Sequence, residues 1–257
     1  MMRISRALAL AGIDSRRKCE VHVRNGAVSV NGEVVRDLGR QVDPEADEIL
    51  FRSRPVRFEK YIYYLLYKPV GYTTTAGDPH AKKTVYHLMP KHLVPRTRQM
   101  QTPRIRVFPV GRLDQDSAGL LLMTNDGAAA HRLTHPRFRV EKWYLVRLNR
   151  ALEAPDLKRA LDGVVLSDGP AKAEKLQPVS RRIVRLMIRE GRNREIRRLF
   201  GKLGYEVTEL CRIAFGPITL GNLGPGQGRF LTPAEVHLLK GNTPSSGRAS
   251  TQRISRR

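Results

Sequence analysis

Asp114 stands in the stretch Gly111-Arg112-Leu113-Asp114-Gln115-Asp116-Ser117. An apolar run, Val107-Phe108-Pro109-Val110, precedes it, and an uncharged run from Ala118 to Met123, which reads as a buried strand, follows it. A lone carboxylate in a loop between two buried strands is where an enzyme places a nucleophile. Such a group must stay ionised inside a cleft. Burial alone raises a carboxyl pKa, and a nearby guanidinium holds it down. Arg112 lies two residues away, and a distant run, Glu190-Gly191-Arg192-Asn193-Arg194-Glu195-Ile196-Arg197, carries three further arginines. By pattern alone Arg197 is a phosphate contact or a surface cation. In Val140-Glu141-Lys142-Trp143-Tyr144, strand alternation turns Trp143 and Tyr144 to opposite faces. A strand tyrosine commonly ends in a core. Asp116 reads as an exposed loop residue, and Asp126, before Gly127, as a helix N-cap. Glycoside hydrolysis needs paired carboxylates flanking the bond, and only Asp114 has that setting.

Charge narrows the partners. Lys and Arg number 47 against 24 Asp and Glu, a net charge of +23 over 257 residues. A surplus that large implies a polyanion, nucleic acid or an anionic membrane. The membrane is the weaker choice, because no apolar run approaches the ~20 residues of a spanning helix, and no secretory leader is evident. Cys19 and Cys211 lack ligand-like neighbours and read as reduced thiols of a reducing, cytoplasmic compartment. His131 and His135 are four apart, but Thr134 and Pro136 are expected to break the helix that would make them neighbours. No metal site and no phosphate-cradling glycine loop is expected.

The elements that must position these residues fall into three parts. Residues 1–57 form a small module. Ile4, Ala7, Leu8 and Ala11 recur at helical spacing up to Gly12, and Asp14 or Ser15 can cap a second helix carrying Arg16, Arg17, Lys18 and Arg24. Val28 to Val35 alternates around Asn31-Gly32, a hairpin signal. Arg52 to Lys60 reads as the linker. Residues 58–240 form the larger domain. Strands are expected at Tyr61–Tyr67, Val140–Val146, Val164–Val179 and Ile183–Ile188, and helices at Gly127–Leu133 and Ala154–Asp162. A further helix at Asn193–Leu203 carries an Ile196, Leu199, Phe200 and Leu203 stripe, with Arg194, Arg197 and Arg198 on a separate face. Thr232-Pro233-Ala234-Glu235 is a capping box. His80 to Arg106, with Arg96, Arg98, Arg104 and Arg106, reads as a long basic loop, and residues 241–257 as a disordered basic tail.

Three of these segments, GRLD with its apolar continuation, VEKWY and EGRNREIR, closely resemble in that order the signature of bacterial rRNA pseudouridine synthases of the RsuA/RluB type. Ser117 replaces the threonine usual there, and Tyr67-Lys68-Pro69-Val70-Gly71 resembles the family's NKP-G entry strand. The N-terminal module resembles the RNA-binding module of ribosomal protein S-four. The resemblance implies an α+β chain: two helices and a β-hairpin joined to a catalytic domain with a mixed, largely antiparallel sheet and a central cleft. It implies an isomerase that breaks a uridine's N-glycosidic bond, turns the base and rejoins it through carbon five. Asp114 would be the nucleophile, Arg197 its ion-pair partner, and Tyr144 the ring that stacks on the base or takes part in proton transfer. Substrate contacts would come from Arg112, Leu113, Lys142, Asn193, Arg194 and Ile196, and RNA contacts from Arg6, Arg16, Arg17, Lys18, Arg24 and Asn31. The implied substrate is ribosomal RNA, large-subunit in preference, free or in an assembling particle, with the target uridine flipped out at a cost of a few kcal/mol. Neither metal nor organic cofactor is implied, and the acting unit is a monomer. The alternative is a non-catalytic RNA-binding or ribosome-assembly protein, from which the three motifs together discriminate.

Overall fold

A computed structural model describes residues 1–58, 60–75, 82–94 and 107–241. Arg96, Arg98, Arg104 and Arg106 of the basic loop, and the tail from 242 onward, lie outside the described residues. The loop's described middle is not open. Two 3-10 turns, Val85–Leu88 and Lys91–Leu93, bury Val85, Tyr86 and Leu93 in the catalytic core.

In the N-terminal module, α1 (Ile4–Leu10) and α2 (Arg16–Arg24) are joined through Gly12, whose φ of 74° closes the first helix. Ser15, not Asp14, caps α2 by accepting from Lys18 N at 3.4 Å. Strands β1 (Val28–Val30) and β2 (Glu33–Val34) turn on Asn31 and Gly32, with φ of 51° and 85°. Both lie in the left-handed region that a type I′ hairpin demands. Ile4, Leu8, Cys19, Val23, Val30 and Ile49 are the closed core of this module. The expected linker is shorter than Arg52–Lys60. β3 (Ile49–Phe51) pairs with β4 (Arg54–Pro55), which ends the sheet. Pro55 sits on an edge strand, where its missing N–H is tolerated.

The larger domain is built on β5 (Tyr63–Lys68), β6 (Ala118–Thr124), β7 (Lys142–Leu148), β8 (Lys175–Ser180), β9 (Ile183–Ile188), β10 (Val207–Phe215) and β11 (Gly228–Phe230). Their order is β8-β9-β7-β10-β6-β5-β11, antiparallel throughout except where β6 meets β10 in parallel. The central strands read as unbroken apolar runs because both faces are covered. In β5 and β6, Leu66, Leu121 and Met123 enter one cluster, while Leu65, Leu120 and Leu122 enter the other. Each such side chain contributes about 1.5–3 kcal/mol of burial. α3 (Gly127–Thr134) packs Ala129 and Leu133 on the second face. α4 (Ala154–Asp162) and α5 (Glu195–Lys202) pack Ala160, Ile196, Leu199 and Phe200 on the first. Asp126 caps α3 as expected, accepting from Ala128 N and Ala129 N. Thr232 and Glu235 form the capping box of α6 (Pro233–Leu239).

Both cysteines are free thiols. Among the described residues no helix is long and apolar enough to cross a membrane.

Candidate active site

The strand registers align Lys68 of β5, Gly119 of β6, Arg212 of β10, Tyr144 of β7 and Leu186 of β9 in one row across the sheet. The Asp114 loop joins the sheet at this row. Gly119 makes the row possible. Its φ is 106°, and a Cβ there would lie 2.5 Å from Arg212 N and closer still to the Arg212 carbonyl oxygen. With no side chain to hold them apart, β6 and β10 pair in parallel.

Lys68 is fully buried, and its ammonium donates to the carbonyl oxygens of Ser117 at 2.5 Å, Pro69 at 3.2 Å and Gln115 at 3.5 Å. Burial pushes its pKa down to about 8, against the pull of the Asp116 and Asp114 carboxylates. Thr74 grips the other side of the loop. Its hydroxyl donates to Leu113 O at 2.8 Å and accepts from Leu113 N at 3.3 Å. Gly71 N donates to Gln115 O at 2.8 Å, and Ser117 N to Asp114 O at 3.1 Å. The backbone on both sides of Asp114 is therefore fixed. Its own carboxylate, half-buried, has no ion pair or hydrogen bond among the described residues.

Arg197 does not pair with Asp114, which corrects the implied assignment. Its Nε lies 3.2 Å from Asp116 Oδ2, its Nη2 donates to Asp116 O at 2.8 Å, and its Nη1 donates to Val207 O at 2.6 Å. Arg194 joins it on Asp116 Oδ2 at 2.9 Å. The cause is the turn from Asp114 to Ser117, which delivers Asp116 to the start of α5, where residues three apart share a face. Asp116 is thus more than an exposed loop residue. Burial works to raise its carboxyl pKa, but the Arg194 hydrogen bond and the charges of Arg197 and Arg194 outweigh it, and the pKa falls below the ordinary value. Arg198 leaves the expected cationic face and makes a bidentate pair with Asp168, 2.8 Å on each arm.

Tyr144, Leu113 and Ile196 meet in one apolar cluster on the loop's side of the sheet. Tyr144 is 6% exposed, and among the described residues its hydroxyl makes no hydrogen bond. Lys142 is turned away from a free substrate contact. Its ammonium donates to Arg189 O at 3.1 Å and Val140 O at 3.3 Å, and burial, then the Arg212 charge, lowers its pKa to about 8. Arg112 and Asn193 are exposed near the loop and α5. Trp143 stands between Arg185, 4.4 Å from its ring, and Lys175 at 5.7 Å.

Arg6, Arg16, Arg17, Lys18 and Arg24 are all exposed on the N-terminal module. Asn31 is not a free RNA contact. Its amide nitrogen donates to Asp47 at 2.9 Å, and its oxygen accepts from Glu48 N at 2.9 Å. The turn consumes both ends of that side chain.

Lys68, Thr74 and Arg212 escaped the sequence reading. Arg212 is 2% exposed, donates from Nε to Leu120 O at 2.8 Å, and leaves Nη2 buried without a partner. The visible signal was a charge at an inward position of an apolar strand, Lys68 ending YYLLYK and Arg212 inside VTELCRIAF. Among the described residues no group of three or more His, Cys, Asp or Glu could hold a metal ion.

Residues 62–202 match the family of RNA pseudouridylate synthases, and residues 2–49 match the S4 domain. A protein of Aquifex aeolicus (strain VF5), described as an uncharacterized RNA pseudouridine synthase, is 40% identical over 243 residues, covering 93% of each chain. Ribosomal large subunit pseudouridine synthase B of Bacillus subtilis (strain 168) is 38% identical over 247 residues, covering 93% of this chain and 96% of its own. The crystal structure of a pseudouridylate synthase superposes with a TM-score of 0.65 at 31% identity, over 93% of this chain and all of that one.

Proposed function

This chain belongs to the RNA pseudouridylate synthase family, with an S4 domain at its N-terminus, and on that premise we propose that Asp114 is the nucleophile that isomerises a uridine of large-subunit ribosomal RNA. The observation that carries the nucleophile is the contrast at the loop. Leu113, Gln115, Asp116 and Ser117 are all held, yet among the described residues the Asp114 carboxylate accepts no hydrogen bond. A reactive group held in place and left unpaired is preorganised for substrate.

In the proposed reaction the N1–C1′ bond breaks and the Asp114 carboxylate takes C1′ as an ester. The freed base turns about its own plane. C5 then forms the bond to C1′, the ester releases Asp114 as carboxylate, the C5 proton leaves to water, and N1 is protonated. Atoms balance without an oxidant or co-reactant. Tyr144 lies on the loop's side of the sheet, where its ring can stack on the base and its unpaired hydroxyl can move the C5 proton. Large-subunit rRNA is proposed from the Bacillus relative, whose name states that substrate. An assembling particle in the cytoplasm is the setting in which such RNA is still accessible.

The test uses rRNA tritiated at uracil C5, given to the wild type and to Asp114→Asn. Tritium release by the wild type alone supports the nucleophile. Equal release by both removes Asp114 from that role, and release confined to small-subunit rRNA removes the large-subunit reading.

A further inference from the structure

A cavity of about 670 Å³ lies at the seam between the S4 domain and the catalytic domain. Arg6 and Arg16 face it from the S4 side, and His131, Arg132, Arg137 and Phe138 from the catalytic side. One carboxylate, Asp14, also lines it, and this already lies 3.8 Å from both Lys18 and His22. Among the described residues Arg6, Arg132 and Arg137 enter no ion pair, and Arg132 Nε is buried without a hydrogen-bond partner. Three guanidinium groups without an ion pair among the described residues lie around one cavity, an arrangement whose charge suits an anion.

The same wall carries an aromatic platform. The rings of His131 and His135 lie 4.8 Å apart, and Phe138 meets His131 edge-on at 5.8 Å. The two histidines are neighbours after all, because α3 runs unbroken through Thr134. Arg137 lies 4.5 Å over the Phe138 ring, and Phe138 is 39% exposed. α3 packs on the sheet face opposite the Tyr144 cluster, so this platform is distinct from the catalytic row.

We propose that the seam is a second RNA subsite, which takes one unpaired nucleotide of the substrate strand away from the target uridine. Its phosphodiester lies between Arg6 and the Arg132–Arg137 pair, and its base stacks on the exposed Phe138 ring, with His131 beside it. Arginine beside aromatic rings is how proteins hold single-stranded nucleic acid without reading its sequence. A nucleotide bound by both walls ties the S4 domain to the catalytic domain. This inference rests on RNA being the substrate, and extends that reading from the catalytic row to a separate site.

The test uses the full chain and two labelled probes, a bacterial large-subunit rRNA transcript and a single-stranded RNA decamer. Affinity is followed by fluorescence anisotropy against salt concentration. Arg6→Gln and Arg132→Gln are each expected to weaken binding roughly fivefold and to flatten the log–log salt slope by about 0.7, the loss of one phosphate contact. Phe138→Ala is expected to weaken binding with the slope unchanged. Arg132→Lys keeps the charge and the slope, which separates lost contact from lost packing. Arg159→Gln, on α4 across the sheet and already paired with Asp156, serves as the control. In tritium release the seam variants should raise KM rather than lower kcat. Wild-type affinity and slope in Arg132→Gln and Phe138→Ala would overturn the proposal, as would an equal slope change in the control. Displacement of both probes by millimolar UMP, with no transcript effect of Phe138→Ala, would mark a free-nucleotide site instead and also overturn it. A wild type that releases no tritium sinks the isomerase reading, whereas the anisotropy arm needs no turnover and decides the seam by itself.

Discussion

Arg197 and Asp116 are joined twice, side chain to side chain at 3.2 Å and side chain to carbonyl oxygen at 2.8 Å. Helix α5 therefore latches the loop two residues beyond Asp114 and leaves the Asp114 carboxylate unengaged. Asp116→Asn keeps the shape and removes the charge. The double-mutant cycle with Arg197→Gln should give a coupling of about 1 kcal/mol, modest because Asp116 is partly exposed. Tritium release should fall roughly tenfold as the loop loosens. The depressed Asp116 pKa also sets a pH window. Its contribution is present above the unfolded value of 3.8 and is lost as pH falls through the lower folded value. Denaturant midpoints of the wild type and Asp116→Asn should differ at neutral pH and converge in acid.

Lys68 is the loop's other anchor, and its pKa, lowered to about 8, gives the same sign in an alkaline window. Below pH 8 both the folded and the unfolded chain hold the proton, and the cost of burying it is constant. Between about 8 and 10.5 the unfolded chain binds more protons, so stability rises with pH. Lys68→Met should cost about 3 kcal/mol at neutral pH, because the carbonyl oxygens of Ser117 and Pro69 lose the ammonium donor. It should also abolish this rise, which urea titrations of both proteins at about pH 7 and about pH 9.5 would reveal.

Gly119→Ala should be among the costliest single methyl additions in the chain. The new Cβ would meet the Arg212 backbone, in a conformation that L side chains rarely adopt. A loss of roughly 3 kcal/mol or more is expected from the combined strain and clash. Circular dichroism melts would measure it, and an unchanged melting temperature would refute the close approach.

Tyr144→Phe removes a hydroxyl that has no hydrogen-bond partner among the described residues. Stability should hold within about 0.5 kcal/mol, since no hydrogen bond is lost. Tritium release should fall at least roughly tenfold if that hydroxyl moves the C5 proton. Near-normal release would reduce Tyr144 to a stacking ring, and Tyr144→Ala would then show the ring's share.

Much of this architecture was legible in the chain. Ala154–Asp162 and Ile183–Ile188 occur within the expected bounds, because caps, glycine stops and β-branched runs act locally. The Asn31-Gly32 hairpin and the Asp126 cap followed from the same local chemistry. The misses were tertiary. Arg197 could be placed on α5 but not aimed, because its aim depends on a turn 81 positions away. Asn31 reads as a surface amide until Asp47 and Glu48 arrive beside it. Lys68 and Arg212 hide inside apolar strands, where only the assembled sheet shows which carbonyl oxygens they reach.

The parallel join of β6 to β10 also sets a schedule for the newborn protein. Arg212 and Leu120, which it ties together, are 92 positions apart, with the Tyr144 strand and helix α5 lying between them in sequence. Contacts of such long range form late in folding, after the loop-closure entropy has been met. A nascent chain that has displayed its S4 domain and even Asp114 outside the ribosome therefore still lacks the strand that completes the catalytic row. Competence arrives only when nearly all of the larger domain has emerged, so a translation product truncated before β10 carries Asp114 without the row that holds its loop.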